Sequence, residues 1–471
     1  MYKVTIGLEV HCELESNSKV FSPSINGYSE NPNYNVAYQD LGFPGILPIL
    51  NKEAYKKALK MALALNCTTP DEILFDRKNY YYPDLPKGYQ ITQETKPVGR
   101  NGYVMINVNG EDIKVGINNT HLEEDTASLD HFSNYSLIDY NRSGVPLLET
   151  VTEPCLHSAD EAIAFLETLK GIFLYTGVSE ARTDRGQMRC DVNISLSDTE
   201  KLGTKVEMKN INSFNNVRLA IEYEIKRQTE LLQSGGKILQ ETRRFDDEDM
   251  KTYPMRSKVD AVDYKYYIEP NIPPIKVDDS WIEEIRKEIP MLQYQRVEKY
   301  MEEYGLSRYD SDIIVKDKKV SDYFEETISL GCNPKSSANF ITSIILGYLN
   351  KYELSINDLF LIPKMLVELI KLVDDGKISS KQSKQVFFKC LEDNKEPSLI
   401  VKELGMTQIT DDKTIRDIVI KVLDERPDLI EDHRKGKNTF DYFVGQVMRA
   451  TRGQANPGVT ANIIREEIEK R

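Results

Sequence analysis

The sequence predicts an α+β domain followed by all-α structure, and three observations support this prediction. Strand-like alternation and most of the Gly, Pro and Tyr residues lie before residue 290. Amphipathic helical patterns separated by short polar turns follow it. A weaker boundary near Gly405 begins a segment with 12 basic and 12 acidic residues, so the net charge of -14 lies entirely ahead of it. The predicted domains are therefore 1–290, 291–404 and 405–471, the last being a small helical tail domain.

The predicted strands come first along the chain. Residues 4–11 alternate between apolar and polar side chains, as a strand with one buried face does. Two further β-rich runs lie between Gly102 and Asn119, separated by Asn109-Gly110. Asn-Gly is typical of a two-residue hairpin turn, so these two runs should pair with each other.

Helices interrupt the strands and then replace them. Ser158 and Glu161 have capping-box spacing and Gly177 is a typical C-terminal stop, which predicts a helix between them. A second helix is expected at 213–234, before a pair of glycines. In the C-terminal third, amphipathic patterns such as 360–373 predict a series of further helices.

Composition restricts the class of protein. Hydrophobic residues make up 40% and charged residues 29%, which suits a globular protein and excludes collagen-like or wholly disordered chains. The 75 Asp and Glu residues outnumber the 61 Lys and Arg residues, which disfavours nucleic-acid binding through bulk charge but leaves room for a local basic patch. One candidate patch lies in the tail and faces only Asp441 between positions 434 and 464: Arg434, Lys435, Lys437, Arg449 and Arg452.

Targeting signals and cysteine spacing are also informative. No apolar run approaches the ~20 residues needed to cross a bilayer, and the first residues lack the features of a signal peptide. A cytoplasmic protein without membrane contact is therefore expected. The six cysteines are scattered and form no CxxC pair, so they are expected to be reduced thiols rather than disulfides or zinc ligands.

The densest polar constellation joins Glu9 and His11 with the segment His121-Leu-Glu-Glu-Asp125. Residues two apart on a strand point to the same side, so Glu9 and His11 should converge, and a nearby acidic segment would complete an oxygen-rich site with one imidazole. Such a donor set suits Mg²⁺ or Mn²⁺, which would bridge the phosphates of a nucleotide. The spacing alone leaves a structural alternative open, in which the acidic segment is a solvated turn and His11 an ordinary strand histidine.

Cationic side chains form a second group of candidates. Arg77, Lys78 and Lys87 lie in an irregular segment in which Pro83 and Pro86 forbid a continuous helix. A rigid loop of this kind would suit phosphate or carboxylate recognition, or it could be a surface loop that covers an edge of the core. Composition does not decide between these two interpretations.

Two later segments place opposite charges beside amides. Asp191 and Asn193 would share one strand face, as would Glu207 and Lys209, although each pair alone is typical of an ordinary strand ion pair. The sequence contains no GxxxxGK[ST] phosphate loop, no GxGxxG after a strand and no kinase HRD or DFG set. A nucleotide would therefore have to be bound by an unusual fold.

Taken together and in order, the motifs of the chain resemble one family nearly from end to end. In the α+β part they include Ile6-Gly-Leu-Glu-Val-His11, Phe75-Asp-Arg-Lys-Asn-Tyr80, His121-Leu-Glu-Glu-Asp125, Gly144-Val-Pro-Leu-Leu-Glu149, Arg189-Cys-Asp191 and Glu207-Met-Lys-Asn210. The tail adds Val444-Gly-Gln-Val-Met448 and Gly453-Gln-Ala-Asn-Pro457. This set resembles the B subunits of bacterial aspartyl/glutamyl-tRNA amidotransferases, the GatB/GatE family.

The resemblance implies an ATP-dependent, glutamine-hydrolysing carbon–nitrogen ligase that acts in indirect aminoacyl-tRNA synthesis. The chain would phosphorylate the side-chain carboxylate of misacylated Asp-tRNA(Asn), Glu-tRNA(Gln) or both, and ammonia would then form the amide. A glutaminase subunit would supply the ammonia, a small third subunit would complete a heterotrimer, and an Asp- or Glu-tRNA synthetase is a further candidate partner. The implied fold is a cradle-shaped α+β domain, a helical domain and a tail that engages tRNA through its basic cluster.

The resemblance also implies roles for individual residues. Mg²⁺ would bind His11 and Glu124 with Glu9 close by, and Lys78 would contact phosphate. The implied catalytic set is Glu9, His11, Lys78, Glu124, Asp191 and Glu207. The implied ATP-binding cations are Arg77, Lys78, Arg189 and Lys209.

Departures from the family pattern stand near the implied site. Many members carry four zinc-knuckle cysteines before the Leu-Gly-x-Pro-Gly motif, but residues 20–45 contain none, so no zinc is predicted. The loop 184–188 reads Asp-Arg-Gly-Gln-Met where Glu-Glu-Gly-Ser-Leu is common. These departures leave an alternative open, a divergent noncatalytic copy that retains the fold and binds tRNA as a scaffold.

Overall fold

The structure is a computed structural model that describes residues 2–211, 213–257, 263–406, 412–434, 439–451 and 455–471. The chain divides into two compact units, Met1–Gln295 and Arg296–Arg471. The first combines sheets with helices and the second is helical, so the predicted order of an α+β part and an all-α part is confirmed. The division into three domains at residues 290 and 404 stays a prediction.

The first unit contains the strands and four of the helices. Its strands are β1 (Lys3–Glu13), β2 (Glu72–Ile73), β3 (Asp76–Asn79), β4 (Tyr89–Thr92), β5 (Gly99–Val108), β6 (Glu111–Glu124), β7 (Ser128–His131), β8 (Ser136–Asp139), β9 (Pro146–Thr152), β10 (Met188–Ser197), β11 (Val206–Ile211), β12 (Glu241–Asp246), β13 (Lys251–Ser257), β14 (Tyr267–Ile268) and β15 (Ile275–Lys276). Its helices are α1 (Lys52–Ala64), α2 (Ala159–Thr176), α3 (Phe214–Gln233) and α4 (Asp279–Lys287).

An eight-stranded sheet in the order β13-β12-β11-β10-β1-β9-β6-β5 organises this unit. Its neighbours pair antiparallel except β11 and β12, which are parallel. Helices α1 and α2 pack near β5 and α3 packs against β10, burying one continuous hydrophobic core. Smaller sheets pair β14-β3-β4, β15-β2 and β7-β8.

The local signals predicted from the sequence are confirmed where they can be compared. Asn109 and Gly110, with φ angles of 53° and 89°, form the two-residue turn that joins β5 to β6. Ser158 caps α2, since its Oγ accepts a hydrogen bond from the Glu161 amide at 3.1 Å. Gly177 ends α2 with a φ of 66°, a left-handed conformation that glycine adopts without steric cost.

A buried ion pair anchors the long connection between β1 and α1. The Lys19 side chain is fully buried, and its Nζ donates to Asn35 O at 2.7 Å and to Asp40 Oδ2 at 3.3 Å. Asp40 also accepts from Ser24 Oγ at 2.6 Å. The connection therefore has an ionic centre made of its own side chains, while the absence of zinc stays a prediction. The six cysteines of the chain are free thiols.

The second unit consists of helices around two hydrophobic clusters. One cluster spans Val297 to Val401 and the other Ile415 to Ile468. In the part of the chain that the structure describes, no helix has the length and apolarity needed to span a membrane. The helices are α5 (Gln293–Glu302), which begins just before the unit, α6 (Arg308–Val315), α7 (Lys318–Ser329), α8 (Pro334–Phe340), α9 (Leu346–Tyr352), α10 (Pro363–Asp374), α11 (Ser380–Asp393), α12 (Pro397–Glu403), α13 (Asp412–Glu425), α14 (Pro427–Arg434), α15 (Phe440–Ala450) and α16 (Pro457–Glu469).

Candidate active site

The two faces of the central sheet have opposite character. On β1, Ile6, Leu8 and Val10 are fully buried in the hydrophobic core. The alternate residues Glu9 and His11 point to the other face, because successive side chains of a strand alternate. The helices cover the apolar face, so the polar face is where this sheet can carry chemistry.

Strand register brings distant polar residues together on that face. His11 of β1 stands opposite Glu149 of β9 on one side and Arg189 of β10 on the other. Glu149 in turn stands opposite His121 of β6, while Glu9 stands opposite Asp191. Glu207 of β11 lies on the same surface. Five strands from separate parts of the sequence thus supply side chains to it.

The first cluster on this face contains two histidines and two glutamates. Ligand atoms of His11, Glu123 and Glu149 all lie within 4.8 Å of one another. Glu149 Oε2 is 3.3 Å from Nε2 of His11 and 3.3 Å from Nε2 of His121. The carboxylate oxygens of Glu123 are 3.9 Å from Nε2 of His11 and 3.7 Å from Nε2 of His121. One imidazole and two carboxylates at this spacing form a donor set for a divalent cation.

The charges in this cluster stabilise one another. Burial disfavours the protonated imidazoles, but the carboxylates of Glu149 and Glu123 outweigh it and raise the pKa of His11 above its usual value. The same balance raises the pKa of His121 to about 10. Burial opposes ionisation of Glu149, yet the two histidines lower its pKa well below the usual range. The neighbouring carboxylates therefore favour the protonated form of both imidazoles, and a metal ion that binds His11 competes with its proton.

Lys78 lies at the edge of this cluster. It belongs to β3, and its ammonium stands 5.0 Å from the centre of the Tyr264 ring. Burial opposes its charge, but Glu123 and Glu149 raise the pKa of Lys78, so the ammonium stays protonated. Among the described residues, none forms a hydrogen bond or ion pair with it. Lys78 is thus a charged donor available to an anionic ligand.

A second acidic cluster occupies the neighbouring part of the face. Ligand atoms of Glu9, Asp191 and Glu207 lie within 4.8 Å of one another. Lys209 Nζ is 2.8 Å from Asp191 Oδ2 and 3.2 Å from Glu207 Oε1, and both carboxylates raise its pKa against the effect of burial. Asn193 Nδ2 donates to Glu9 Oε1 at 2.8 Å. The predicted ATP-binding Lys209 is therefore held by two carboxylates of its own chain.

The structure places Glu124 apart from the first cluster, unlike the site inferred from the sequence. Its carboxylate forms an ion pair with Lys87 and accepts a hydrogen bond from the Ile91 amide at 2.8 Å. Within the described residues, Glu124 belongs to neither group of potential ligands, and Glu123 takes the place beside His11. The reason is the alternation of β6, since adjacent residues point to opposite faces. Counting in twos from His121 would have selected Glu123.

Glu149 was not predicted as a partner of His11, whereas the segment His121 to Asp125 was grouped with that residue. Glu149 follows two leucines, Leu147 and Leu148, and is a single carboxylate within an apolar strand. That isolation is the one local signal that could have singled it out. The pairing of β9 between β1 and β6, which brings the three residues together, has no signature in the local sequence.

Two predicted ATP-binding arginines are also engaged by carboxylates of the chain. Arg77 forms a two-pronged ion pair with the fully buried Glu269 and stacks 4.1 Å from the centre of the Tyr89 ring. Arg189 donates to Asp125 Oδ2 at 2.7 Å. Burying either carboxylate without its guanidinium would be costly, so these arginines have a structural role whatever else they contact.

The structure describes the predicted basic cluster of the tail only in part. Arg449 is exposed on α15, and Arg434 is the last residue of α14. Lys435, Lys437 and Arg452 lie outside the described residues. The nucleic-acid contact of this cluster stays a prediction.

Comparisons with known proteins match the whole chain. Two family models match, the GatB/GatE catalytic domain over residues 4–283 and the GatB domain over residues 322–468. The B subunit of the aspartyl/glutamyl-tRNA(Asn/Gln) amidotransferase of Geobacillus kaustophilus is 48% identical, with 100% of each chain covered. Proteins of the same name from Oceanobacillus iheyensis and Bacillus mycoides are each 47% identical, covering 100% and 99% of both chains.

Proposed function

This chain belongs to the GatB/GatE family, and from that premise we propose that it activates a tRNA-linked carboxylate with ATP. The substrate would be the side chain of misacylated Asp-tRNA(Asn), Glu-tRNA(Gln) or both. Phosphorylation gives an acyl phosphate and ADP, and ammonia then displaces phosphate to give Asn-tRNA(Asn) or Gln-tRNA(Gln). The observation that carries the proposal is the cluster of His11, Glu123 and Glu149 beside the Lys78 ammonium.

The reaction explains why such a cluster is required. A carboxylate is a poor acylating agent because its leaving group would be oxide, whereas an acyl phosphate releases phosphate. Bringing a triphosphate and a carboxylate together concentrates negative charge, and catalysis consists mainly of positioning these groups and offsetting that charge. The polar face of the sheet provides cationic and metal-binding groups in one place.

The residues fit Mg²⁺ or Mn²⁺ by their donor chemistry. We propose His11, Glu123 and Glu149 as the ligands, in place of the set of His11, Glu124 and Glu9 inferred from the sequence. When bound, the ion would offset the negative charge that builds up on the phosphate oxygens. His121 would act on this site by positioning, because its ion pair with Glu149 fixes the orientation of that carboxylate.

Lys78 would contact the phosphoryl group directly. Its ammonium carries a charge that no described carboxylate neutralises at hydrogen-bond distance, which favours binding of an anion. Asp191 and Glu207, held together by Lys209, would fix the neighbouring part of the face and keep its charge balanced. Arg77 and Arg189 would support the site through Glu269 and Asp125 rather than bind ATP.

The proposal includes partners and a location. The sequence contains no Gly/Ser-rich amidase signature, so the ammonia would come from a separate glutaminase subunit. A small third subunit would complete the heterotrimer, and an Asp- or Glu-tRNA synthetase could deliver the substrate. The tail would bind tRNA through Arg449 and its basic neighbours. Because tRNA is the substrate, the complex would work in the cytoplasm.

The test uses the chain purified together with its glutaminase and small subunits. The complex receives glutamine, ATP and MgCl₂, with either Asp-tRNA(Asn) or Glu-tRNA(Gln), and both ADP release and amide formation are measured. Turnover with one or both substrates is expected, with equal amounts of ADP and amide. A complex that hydrolyses glutamine and binds tRNA but forms neither product would contradict the proposal and leave the scaffold interpretation.

A further inference from the structure

A β-bulge in β6 lies just before the histidine cluster. Ile117 stands opposite Thr152 of β9, and Asn119 stands opposite Val151, the adjacent residue of β9. Two steps along β6 therefore correspond to one step along β9, and Asn118 is the extra residue. A bulge of this kind bends its strand and changes the direction of the side chains that follow.

The bulge exchanges the two faces of β6. Before it, the odd-numbered residues Val115 and Ile117 are buried in the hydrophobic core. After it, the even-numbered Leu122 is fully buried in that core, while the odd-numbered His121 and Glu123 lie on the polar face. A strand without the extra residue would direct both of these polar side chains into the core. The bulge is therefore required for the cluster to form.

A chain of hydrogen bonds connects the bulge to the cluster. Asn118 Nδ2 donates to Glu153 Oε1 at 2.8 Å, and Asn119 Nδ2 donates to Asn118 Oδ1 at 3.0 Å. Asn119 Oδ1 lies 2.9 Å from Nδ1 of His121. On the other side of the same ring, Nε2 lies 3.3 Å from Oε2 of Glu149. The chain thus runs from the protein surface to a proposed metal ligand.

The carboxylate at the outer end fixes the direction of the whole chain. An ionised carboxylate only accepts hydrogen bonds, so the amide nitrogen of Asn118 faces Glu153 and its oxygen faces Asn119. For the same reason the amide oxygen of Asn119 faces His121. Because an amide oxygen only accepts, Nδ1 of His121 carries a hydrogen and donates it. The Nε2 edge of the ring is then the one directed at Glu149.

The orientation of this ring matters because Glu149 is shared. Its Oε2 lies 3.3 Å from Nε2 of His121 and 3.3 Å from Nε2 of His11. Glu149 is also one of the residues whose ligand atoms come together on this face. A hydrogen bond at Nδ1 fixes the orientation of an imidazole, and an imidazole fixed in this way holds the carboxylate that it contacts.

We propose that Asn119 is a positioning residue for activation of the tRNA-linked carboxylate. It fixes the ring of His121, and the ring holds the Glu149 carboxylate where it can serve as a metal ligand. Asn118 and Glu153 act one step further out, because they fix the orientation of the Asn119 amide. The inference rests on the proposed function and adds the residues that keep its metal site in place.

The experiment measures Mn²⁺ affinity by electron paramagnetic resonance, and kcat and KM for amide formation, on the complete complex with its glutaminase and small subunits. Asn119→Leu keeps a side chain of similar size and removes the acceptor for His121. Asn119→Asp is the conservative variant, because it keeps an acceptor at this position. Loss of such an outer hydrogen bond typically costs about 10- to 100-fold, so Asn119→Leu should lower both Mn²⁺ affinity and kcat about 10-fold.

The chain offers a matched control on the neighbouring strand. Asn107 of β5 is half-buried like Asn119, and its Nδ2 donates to Asp112 Oδ1 at 2.7 Å beside the turn at the opposite end of β6. Asn107→Leu makes the same chemical change and should alter neither Mn²⁺ affinity nor kcat. Glu153→Gln tests the outer end of the chain, because a glutamine amide donates as well as accepts and no longer fixes the direction. It should lower Mn²⁺ affinity, but by less than Asn119→Leu.

Several properties separate positioning from general stability. The urea midpoint, the KM for aminoacyl-tRNA and the glutaminase rate are measured on the same samples and should be retained in Asn119→Leu. Asn119→Asp should recover most of the Mn²⁺ affinity and of kcat. An equal loss in Asn119→Asp would overturn the proposal, because the residue would then act through its shape rather than as an acceptor. If Asn119→Leu does not fold, the surface variant Glu153→Gln decides, and an unchanged Mn²⁺ affinity there would refute the chain.

Failure of this inference can be distinguished from failure of the proposed function. If the wild-type complex forms amide but Asn119→Leu matches Asn107→Leu in Mn²⁺ affinity and kcat, the positioning role is refuted and the proposed function stands. If the wild type forms no amide, the proposed function fails, while the Mn²⁺ affinities still decide whether Asn119 holds the site. A wild type that binds no Mn²⁺ would overturn the inference together with the metal site.

Discussion

Glu123 and Glu124 are adjacent in sequence, and the structure predicts opposite consequences for changing them. Glu123 stands beside His11 and His121 on the polar face, whereas Glu124 pairs with Lys87 on the other side of β6. Glu124→Gln should therefore lower the stability of the first unit and retain metal affinity. Glu123→Gln should lower metal affinity and affect stability less.

The magnitudes follow from the burial of each group. The Lys87 and Glu124 side chains are only 10% and 4% exposed, and removing one partner of a buried ion pair costs about 3 to 5 kcal/mol. Glutamine keeps an acceptor for the Ile91 amide, which places the expected loss near the lower end, about 3 kcal/mol. For Glu123→Gln, loss of a carboxylate ligand should weaken Mn²⁺ binding by at least about 10-fold.

A single tryptophan makes the stability measurement specific. Trp281 is the one tryptophan of the chain, and it lies in the first unit with its ring 5.5 Å from that of Tyr55. Urea unfolding followed by its fluorescence therefore reports on the unit that contains β6. Mn²⁺ affinity is measured on the same samples by electron paramagnetic resonance. Lys87→Met combined with Glu124→Gln should recover part of the stability, because it removes the unpaired cation.

The opposite result would refute the reasoning. If Glu124→Gln abolished Mn²⁺ binding and left the urea midpoint unchanged, Glu124 would be the ligand that the family resemblance implies. The assignment of Glu123 to the metal site would then be wrong. Loss of both properties in one variant would show that the two faces of β6 are not independent.

Three further predictions concern charge. The neighbouring carboxylates outweigh the effect of burial and raise the pKa of His11, so metal binding should release protons and strengthen as pH rises. Equal calorimetric heats in buffers of different ionisation enthalpy would contradict this. Lys78→Met should lower the ATP-dependent rate about 10²-fold with glutaminase activity retained, and an unchanged rate would remove Lys78 from the mechanism. Arg449→Ala should reduce the salt dependence of tRNA affinity by about 1 in slope, and an unchanged slope would exclude contact of this residue with phosphate.

The fold was predictable where local chemistry decides it. The Asn109-Gly110 turn, the Ser158 cap and the stop at Gly177 each depend on a few neighbouring residues, and each occurs as expected. The order of the strands in the sheet could not be predicted from local chemistry. β1 lies between β9 and β10, and that arrangement depends on packing over more than 130 residues of sequence. No local signal contains it.

The site was predictable in its residue types and less so in its contacts. Glu9 and His11 lie on one face, as alternation requires. The partner of Arg77 is Glu269, a residue 192 positions away, so nothing near Arg77 in the sequence could show that its guanidinium is already engaged. The local sequence does not show whether a cation is paired with a distant carboxylate. Once the pairs seen in the structure are taken into account, Lys78 is the predicted phosphate-binding cation that remains available.

The register of β6 links the stability of the unit to its chemistry. One face of its last residues supplies Glu123 to the histidine cluster, and the other supplies Glu124 to Lys87. A shift of one residue would exchange the two faces and move Leu122, which is fully buried in the core, to the polar face. The burial of Leu122 therefore specifies the register that holds Glu123 at the site, and the ion pair of Glu124 adds stability on the opposite face. By this argument Lys87→Met, like Glu124→Gln, should lower the stability of the first unit and retain Mn²⁺ affinity.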